Sequence, residues 1–374
     1  MCALPGRASG SGSRRFATRL FDRLRSFFRP KVEVEAEPAP APEPGRVRGV
    51  VDHVVILDGT LSSSEPGHEG NAALLFHLLK EMGHRANRRV YYEPGMQWEG
   101  WLRGVALLEG RGIAPQIRRA YGWLASGYRE GDRIFLFGYS RGAYAVRSLA
   151  GVVDRVGLVK RELATERAVQ LAWRHYERAP DSLAAQAFSR AYCHLEAPIE
   201  MVGVWDTVKA LGIRLPFFWM LAPDRHAFHN HHLGSSIRHG YHALALDETR
   251  LAFAPVLWDC PPGWEGNVEQ VWFRGAHGDI GGQIGGFAAA RPLSNIPLVW
   301  MLERSAALGL ALPEDWRGRF ACDVKAPMVG TLRSWGKAFL LRRPRVVGRD
   351  RSERLHPTAV PAAAGRWPTR LPAE

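Results

Sequence analysis

Apolar, β-rich runs alternating with stretches of helical spacing limit what this chain can fold into more than any other feature. Val50–Leu57 (VVDHVVIL), Arg133–Gly138 (RIFLFG), Ile199–Trp205 (IEMVGVW) and Val268–Phe273 (VEQVWF) read as strands. Ala72–Met82, Ile113–Tyr128 and Gly142–Val153 repeat apolar residues at helical intervals. Continuous apolar runs suit strands buried on both faces, and their alternation with helices predicts an α/β fold with a mostly parallel sheet and helices on both faces. Asp58, Ser140, Asp206 and His277 stand just past the ends of the four runs. Open α/β sheets bind ligands at that edge.

Gly138-Tyr139-Ser140-Arg141-Gly142 matches G-x-S-x-G, with an apolar strand running in and a small-residue helix running out. That is the strand–turn–helix of a nucleophile elbow. Glycines on either side permit a turn too tight for side chains, and Ser140 Oγ would stand at a helix N-terminus beside backbone N–H groups such as that of Arg141. The competing reading is a serine that only caps a tight turn. A serine nucleophile needs a base, and the base an orienting acid, in the order Ser, Asp, His for α/β-hydrolases. Asp206 and His277 follow in that order. Asp279 is the alternative acid, or a brace for the Gly281-Gly282 turn. Asp206 could instead cap a helix, and His277 could be an ordinary loop histidine. Asp58-Gly59-Thr60 could supply an oxyanion donor from Gly59 or Thr60, with Asp58 positioning that loop or serving only its turn.

These residues belong to a longer series of ordered blocks: Leu57-Asp58-Gly59-Thr60, Asn71 at the first helix, Tyr91–Gly95 (YYEPG), Gly138–Gly151 (GYSRGAYAVRSLAG), Gly203–Val208 (GVWDTV), Tyr241–Trp258 (YHALALDETRLAFAPVLW) and Val271–Gly282 (VWFRGAHGDIGG). Over about Val54–Trp300 the chain resembles the catalytic domain of type VI secretion phospholipase effectors, an α/β-hydrolase family. The resemblance implies an α/β-hydrolase-like fold and ester hydrolysis, with phospholipids as the substrate class. The expected enzyme is a carboxylic ester hydrolase using Ser140, His277 and Asp206. The alternative is a noncatalytic membrane- or nucleic-acid-associated protein on the same scaffold, which loss of Ser140 or His277 would have favoured.

The net charge of +13 is confined to the ends. Residues 1–30 hold seven Arg against one Asp, and residues 331–374 hold nine Arg and one Lys against three acids, leaving residues 31–330 formally neutral. No nucleic-acid partner is therefore expected of the globular part. Within the 1–30 segment, Arg14–Arg29 places Phe16, Leu20, Phe21, Leu24, Phe27 and Phe28 on one helical face with Arg opposite. Such a helix would lie on an anionic membrane surface, or dock its apolar face on the hydrolase domain or a partner. A Pro/Glu linker over 31–45, a catalytic domain over 46–327 and a basic tail over 328–374 complete the expected organisation.

Four scattered cysteines form no disulfide framework, and no apolar run reaches the roughly 20 residues of a spanning helix. With no signal sequence visible either, the expected location is the bacterial cytoplasm, peripheral to the membrane, with secretion into other cells left open, as are secretion and immunity partners. His226, His229, His231 and His232 lack carboxylate or Cys partners at ligand spacing, and no Walker or G-x-G-x-x-G motif occurs, so neither metal nor cofactor is expected. Phe217–Leu221 (FFWML) fits either a lid over an acyl pocket or a buried segment.

Overall fold

The computed structural model describes residues 35–36, 49–60, 62–63, 65–83, 87–95, 113–208, 233–260, 266–333 and 341–359. Arg14–Arg29, Phe217–Leu221 and the four histidines of 226–232 lie outside them. The strands are β1 (Glu35–Ala36), β2 (Asp52–Leu57), β3 (Arg88–Glu93), β4 (Arg133–Tyr139), β5 (Ile199–Trp205), β6 (Ile237–Ala245), β7 (Asn267–Phe273) and β8 (Glu353–Leu355). The helices are α1 (Asn71–Glu81), α2 (Ile113–Gly127), α3 (Arg141–Arg155), α4 (Glu166–Arg178), α5 (Leu183–Tyr192), α6 (His277–Gly281) and α7 (Arg291–Ala307).

The strands form one sheet in the order β1-β3-β2-β4-β5-β6-β7-β8. Seven run parallel and β1 pairs antiparallel with β3 at the edge. Both faces are covered, which is why the central strands are apolar over most of their length. On β2, Val55 and Leu57 pack with Ile117, Tyr121 and Leu149 of α2 and α3. Val54 and Ile56 face the other way, onto Leu75 and Leu79 of α1 and Met301 of α7. The chain passes from β2 to β3 on one side, then returns to β4 on the other. Loops therefore diverge above the carboxyl ends of β2 and β4, where a doubly wound sheet opens a crevice.

Two expected boundaries need correction. The proposed linker over 31–45 contributes β1 to the sheet. The basic region beyond 327 is not simply a tail: Arg250 bridges Arg342, and β8 extends the sheet through Gln270↔Glu353, Val271↔Arg354 and Trp272↔Leu355. Glu353 is buried there, accepting Trp272 Nε1–H at 2.7 Å and the amides of Gly348, Arg349 and Asp350. Its surrounding arginines hide an acid that organises a loop rather than meeting solvent. Among the described residues, no helix is long and apolar enough to cross a membrane.

Candidate active site

Tight backbone packing builds the turn around Ser140. A Cβ on Gly142 would lie 2.1 Å from Leu57 O and 2.5 Å from Asp58 O, so the first turn of α3 rests directly on the end of β2. A Cβ on Gly138 would come within 2.6 Å of Gly142 O and 2.7 Å of Ala143 Cα. Both motif glycines are thus required by close approach. Between them Ser140 adopts φ 57°, ψ −119°, a conformation L-residues rarely hold. Asp206, one strand over at the end of β5, also has a positive φ of 43°. The sheet pins both residues: Ser140 N–H donates to Trp205 O at 3.0 Å, and Asp206 N–H to Ala243 O at 2.8 Å. Strain concentrated at two adjacent strand ends is a mark of functional sites.

His277 opens α6 after β7. Its Nε2 lies 2.8 Å from Ser140 Oγ, and its Nδ1 lies 2.6 Å from Asp206 Oδ2. Ser140, His277 and Asp206 are 7%, 4% and 0% exposed. The ring is held between Tyr139 and Phe253, each with its centroid 4.8 Å away, and His277 N–H donates to Glu248 Oε2 at 3.1 Å. Burial lowers the imidazole pKa, and the Asp206 contact only partly offsets that, leaving a neutral base with a hydrogen bond on each nitrogen. Burial acts to raise the Asp206 pKa, but the Arg345 charge and the hydrogen bonds from His277 and Arg345 outweigh it and hold the carboxyl well below the usual range.

Asp279 does different work. Its carboxylate accepts Ala276 N–H at 2.9 Å, Val329 N–H at 2.7 Å and Gly330 N–H at 3.2 Å, tying the start of α6 to a distant loop. It braces, while Asp206 meets the imidazole.

Asp58, fully buried, organises the loop after β2, accepting Gly59 N–H at 2.6 Å and Tyr92 O–H at 2.9 Å. Desolvation raises its pKa to about 6 against those hydrogen bonds. The Gly59 N–H, one of the expected oxyanion donors, is turned to Asp58. Thr60 remains on that loop, its carbonyl accepting Gln283 Nε2–H at 3.2 Å. Arg141 is the first residue of α3, where N–H groups precede the intrahelical ladder.

Sequence reasoning missed Arg345, Glu248 and the contacts of Tyr139 and Phe253 with His277. Glu248 and Phe253 were quoted only within the Tyr241–Trp258 block. Arg345 carried no signal among neighbouring arginines. No cluster of three or more metal-ligating side chains occurs among the described residues.

Residues 52–304, about two thirds of the chain, match the family model described as the type VI secretion system phospholipase effector Tle1-like catalytic domain. The uncharacterized protein YEL023C of Saccharomyces cerevisiae is 30% identical over 237 residues, covering 54% of this chain and 33% of that protein. A crystal structure of an uncharacterized Pseudomonas aeruginosa protein aligns at 14% identity and TM-score 0.39, covering 84% of this chain and 53% of that one. The Tle1 effector bound to the VgrG spike of the type 6 secretion system aligns at 18% identity and TM-score 0.31, covering 63% of this chain and 52% of that one. The chain thus spans a third of the yeast protein and about half of each solved chain. By the extent of the family match, the chain belongs to the Tle1-like phospholipase effector catalytic-domain family.

Proposed function

We propose that this chain is a serine esterase of the phospholipase type, with Ser140 as nucleophile, His277 as general base and acid, and Asp206 as the orienting acid. The observation that carries this reading is the unbroken hydrogen-bond chain from Ser140 Oγ through His277 to Asp206, starting from a strained serine at a strand–helix turn. Ser140 Oγ attacks the ester carbonyl carbon while its proton passes to His277 Nε2. The carbonyl oxygen becomes an oxyanion, received by backbone N–H groups at Arg141 and Thr60. Collapse expels the alcohol, which takes the proton from His277. Water then releases the acyl group by the same steps in reverse, and Asp206 keeps the imidazole in the required tautomer throughout.

A fluorophosphonate probe tests this directly. The full chain should be labelled covalently and should hydrolyse a soluble short-chain ester, and Ser140→Ala should lose both by orders of magnitude while keeping its fold. Undiminished labelling of the variant would refute the assignment.

The lipid substrate also gives the Arg14–Arg29 segment a role as an anchor on anionic membrane, with the protein peripheral to the bilayer. Each basic residue near such a surface contributes on the order of 1 kcal/mol, falling with salt. Deletion of residues 1–30 should abolish sedimentation with anionic vesicles and spare hydrolysis of a soluble ester. Equal vesicle binding by the truncated chain would sink the anchor.

A further inference from the structure

The carboxylate of Asp206 has a second partner besides the imidazole. Arg345 reaches it from the segment after the family-matched residues, with Nη1 2.5 Å from Oδ1 and Nη2 2.9 Å from Oδ2. Ala245 N–H adds a bond to Oδ1 at 2.9 Å. Together with His277 Nδ1, four donors fill the acceptor positions of one carboxylate. The fork itself is anchored: Nη1 also donates to Ala245 O at 2.9 Å and Nη2 to Phe253 O at 2.5 Å. Phe253 is the residue whose ring covers His277. A single guanidinium therefore fixes the acid, the end of β6 and the 3₁₀ turn Leu251–Phe253 that carries the covering ring.

We infer that Arg345 is a positioning residue for hydrolysis at Ser140, its bidentate fork holding Asp206 aimed at His277, so that the 341–359 segment completes the site. Both side chains are sealed, with Arg345 4% and Asp206 0% exposed. Desolvating two charges is costly, and a buried ion pair is weak ground for a purely stabilising role. Among the described residues the Arg345 Nε–H finds no acceptor, a further cost borne by a side chain whose other donors converge on the acid and its surroundings. Lysine would supply the charge without the two-pronged geometry. With the fork in place, the carboxylate cannot rotate away from His277 without breaking two charge-assisted bonds.

The fork also sets how much basicity Asp206 lends the imidazole. A cation on the far side of the acid draws on the same negative charge that stabilises protonated His277. The other ionisable groups around the pair are Glu248 on the His277 amide, Arg250 paired with Glu248, Tyr139 tilted against the ring, Asp279 on α6, Asp58 at the neighbouring strand end, and His242, whose Nε2 accepts Thr207 N–H. Of these, Glu248 and His242 also feel the Arg345 charge, and all of them stay in place when Arg345 is replaced.

This inference rests on the esterase reading, so the experiment begins with the wild-type full chain. Failure of the wild type to be labelled or to cleave p-nitrophenyl butyrate would defeat that reading, whereas an active wild type isolates the question of Arg345. Kinetics of Arg345→Met, Arg345→Ala and Arg345→Lys are then measured per fluorophosphonate-titrated site, which removes any loss of folded protein. Arg345→Met should lower kcat at least about tenfold with KM within about twofold. The acid limb of its kcat/KM profile should move to higher pH, because Asp206 now holds the shared proton with His277 alone. Ethylguanidinium should restore kcat to Arg345→Ala, and Arg345→Lys should lose kcat with little movement of the limb. A kcat per site within twofold of wild type and an unmoved limb in Arg345→Met would overturn the inference. So would a loss in Arg345→Ala that neither moves the limb nor responds to ethylguanidinium. Should Arg345→Met not fold, Arg345→Lys decides: a reduced kcat at unchanged KM and melting temperature supports the fork, and a wild-type kcat defeats it.

Discussion

Gly142→Ala puts two opposing effects in competition. Alanine is the better helix former by about 1 kcal/mol, and Gly142 lies in the first turn of α3, so propensity alone predicts a more stable protein. The close packing at the elbow predicts the reverse. The new Cβ would sit 2.1 Å from Leu57 O, 2.5 Å from Asp58 O and 2.6 Å from Leu57 C. All three are main-chain atoms of β2 and its loop, so no side-chain rotation relieves the overlap. Restoring van der Waals distance requires α3 to lift by about 1 Å. Overpacking of this kind costs about 1–3 kcal/mol, and main chain against main chain places it at the upper end, which exceeds the propensity gain. Ser140 immediately precedes α3, so the same movement pulls its Oγ from the 2.8 Å contact with His277 Nε2. A 1 Å misplacement of a reacting group costs about a hundredfold in rate. Urea unfolding should therefore show a loss of about 2 kcal/mol or more, and fluorophosphonate labelling per folded molecule should slow by about two orders of magnitude. A variant as stable as wild type and labelled at the same rate would refute the packing argument. Reduced stability with an unchanged labelling rate would show that the contact with β2 does not set the serine.

The two acids should separate by assay. Asp206→Asn should lower kcat per folded molecule about a thousandfold or more, because the imidazole loses its orienting anion. Asp279→Ala strands three backbone N–H groups and should instead cost about 2–4 kcal/mol in urea unfolding, with labelling per folded molecule largely kept; reversed effects would make Asp279 the acid. Asp58 gives a pH signature: its folded pKa of about 6 lies above the ordinary 3.8, so its stabilising contribution is full below 3.8 and lost as pH rises through 6. Asp58→Asn escapes that loss and should gain about 2 kcal/mol on the wild type between pH 4.5 and 7. A difference independent of pH would exclude Asp58 as the group responsible.

What the sequence made legible was decided by burial. β2, β4 and β5 are covered on both faces, as are the last four residues of β7, so they read as largely apolar runs, and the polar residues that follow them stood out. β3 was hidden because it opens with Arg88 and Arg89 and ends on Glu93. Their charges are dealt with by remote partners: Arg88 Nη1 donates to Ala311 O, and Arg119 Nη2 to Glu93 Oε1 at 2.5 Å. β6 was obscured by Arg238, His239 and Gly240 at its start, although residues 241–245 are buried throughout. At the site, residue order pointed to Ser140, Asp206 and His277, which the fold brings within hydrogen-bond distance of one another, but order alone did not separate Asp206 from Asp279. That choice rests on where each carboxylate points. Arg345 was illegible for another reason: a guanidinium bound for a buried carboxylate is written identically to those that stay in water.

The distance along the chain between Asp206 and Arg345, 139 residues, has a consequence for synthesis. A ribosome making this protein at about 5–20 residues per second delivers the acid several seconds before the fork that pairs with it. By the end of that interval β2 to β7 have been made and can assemble, yet the Asp206 carboxylate lacks its strongest counter-charge and is costly to seal away from water. Completion of the hydrogen-bonded set Ser140, His277 and Asp206 thus lags behind synthesis of β2 to β7. A nascent chain holding Ser140, Asp206 and His277, but not yet the residues around 345, has all three members of that set and lacks the guanidinium that fixes one of them.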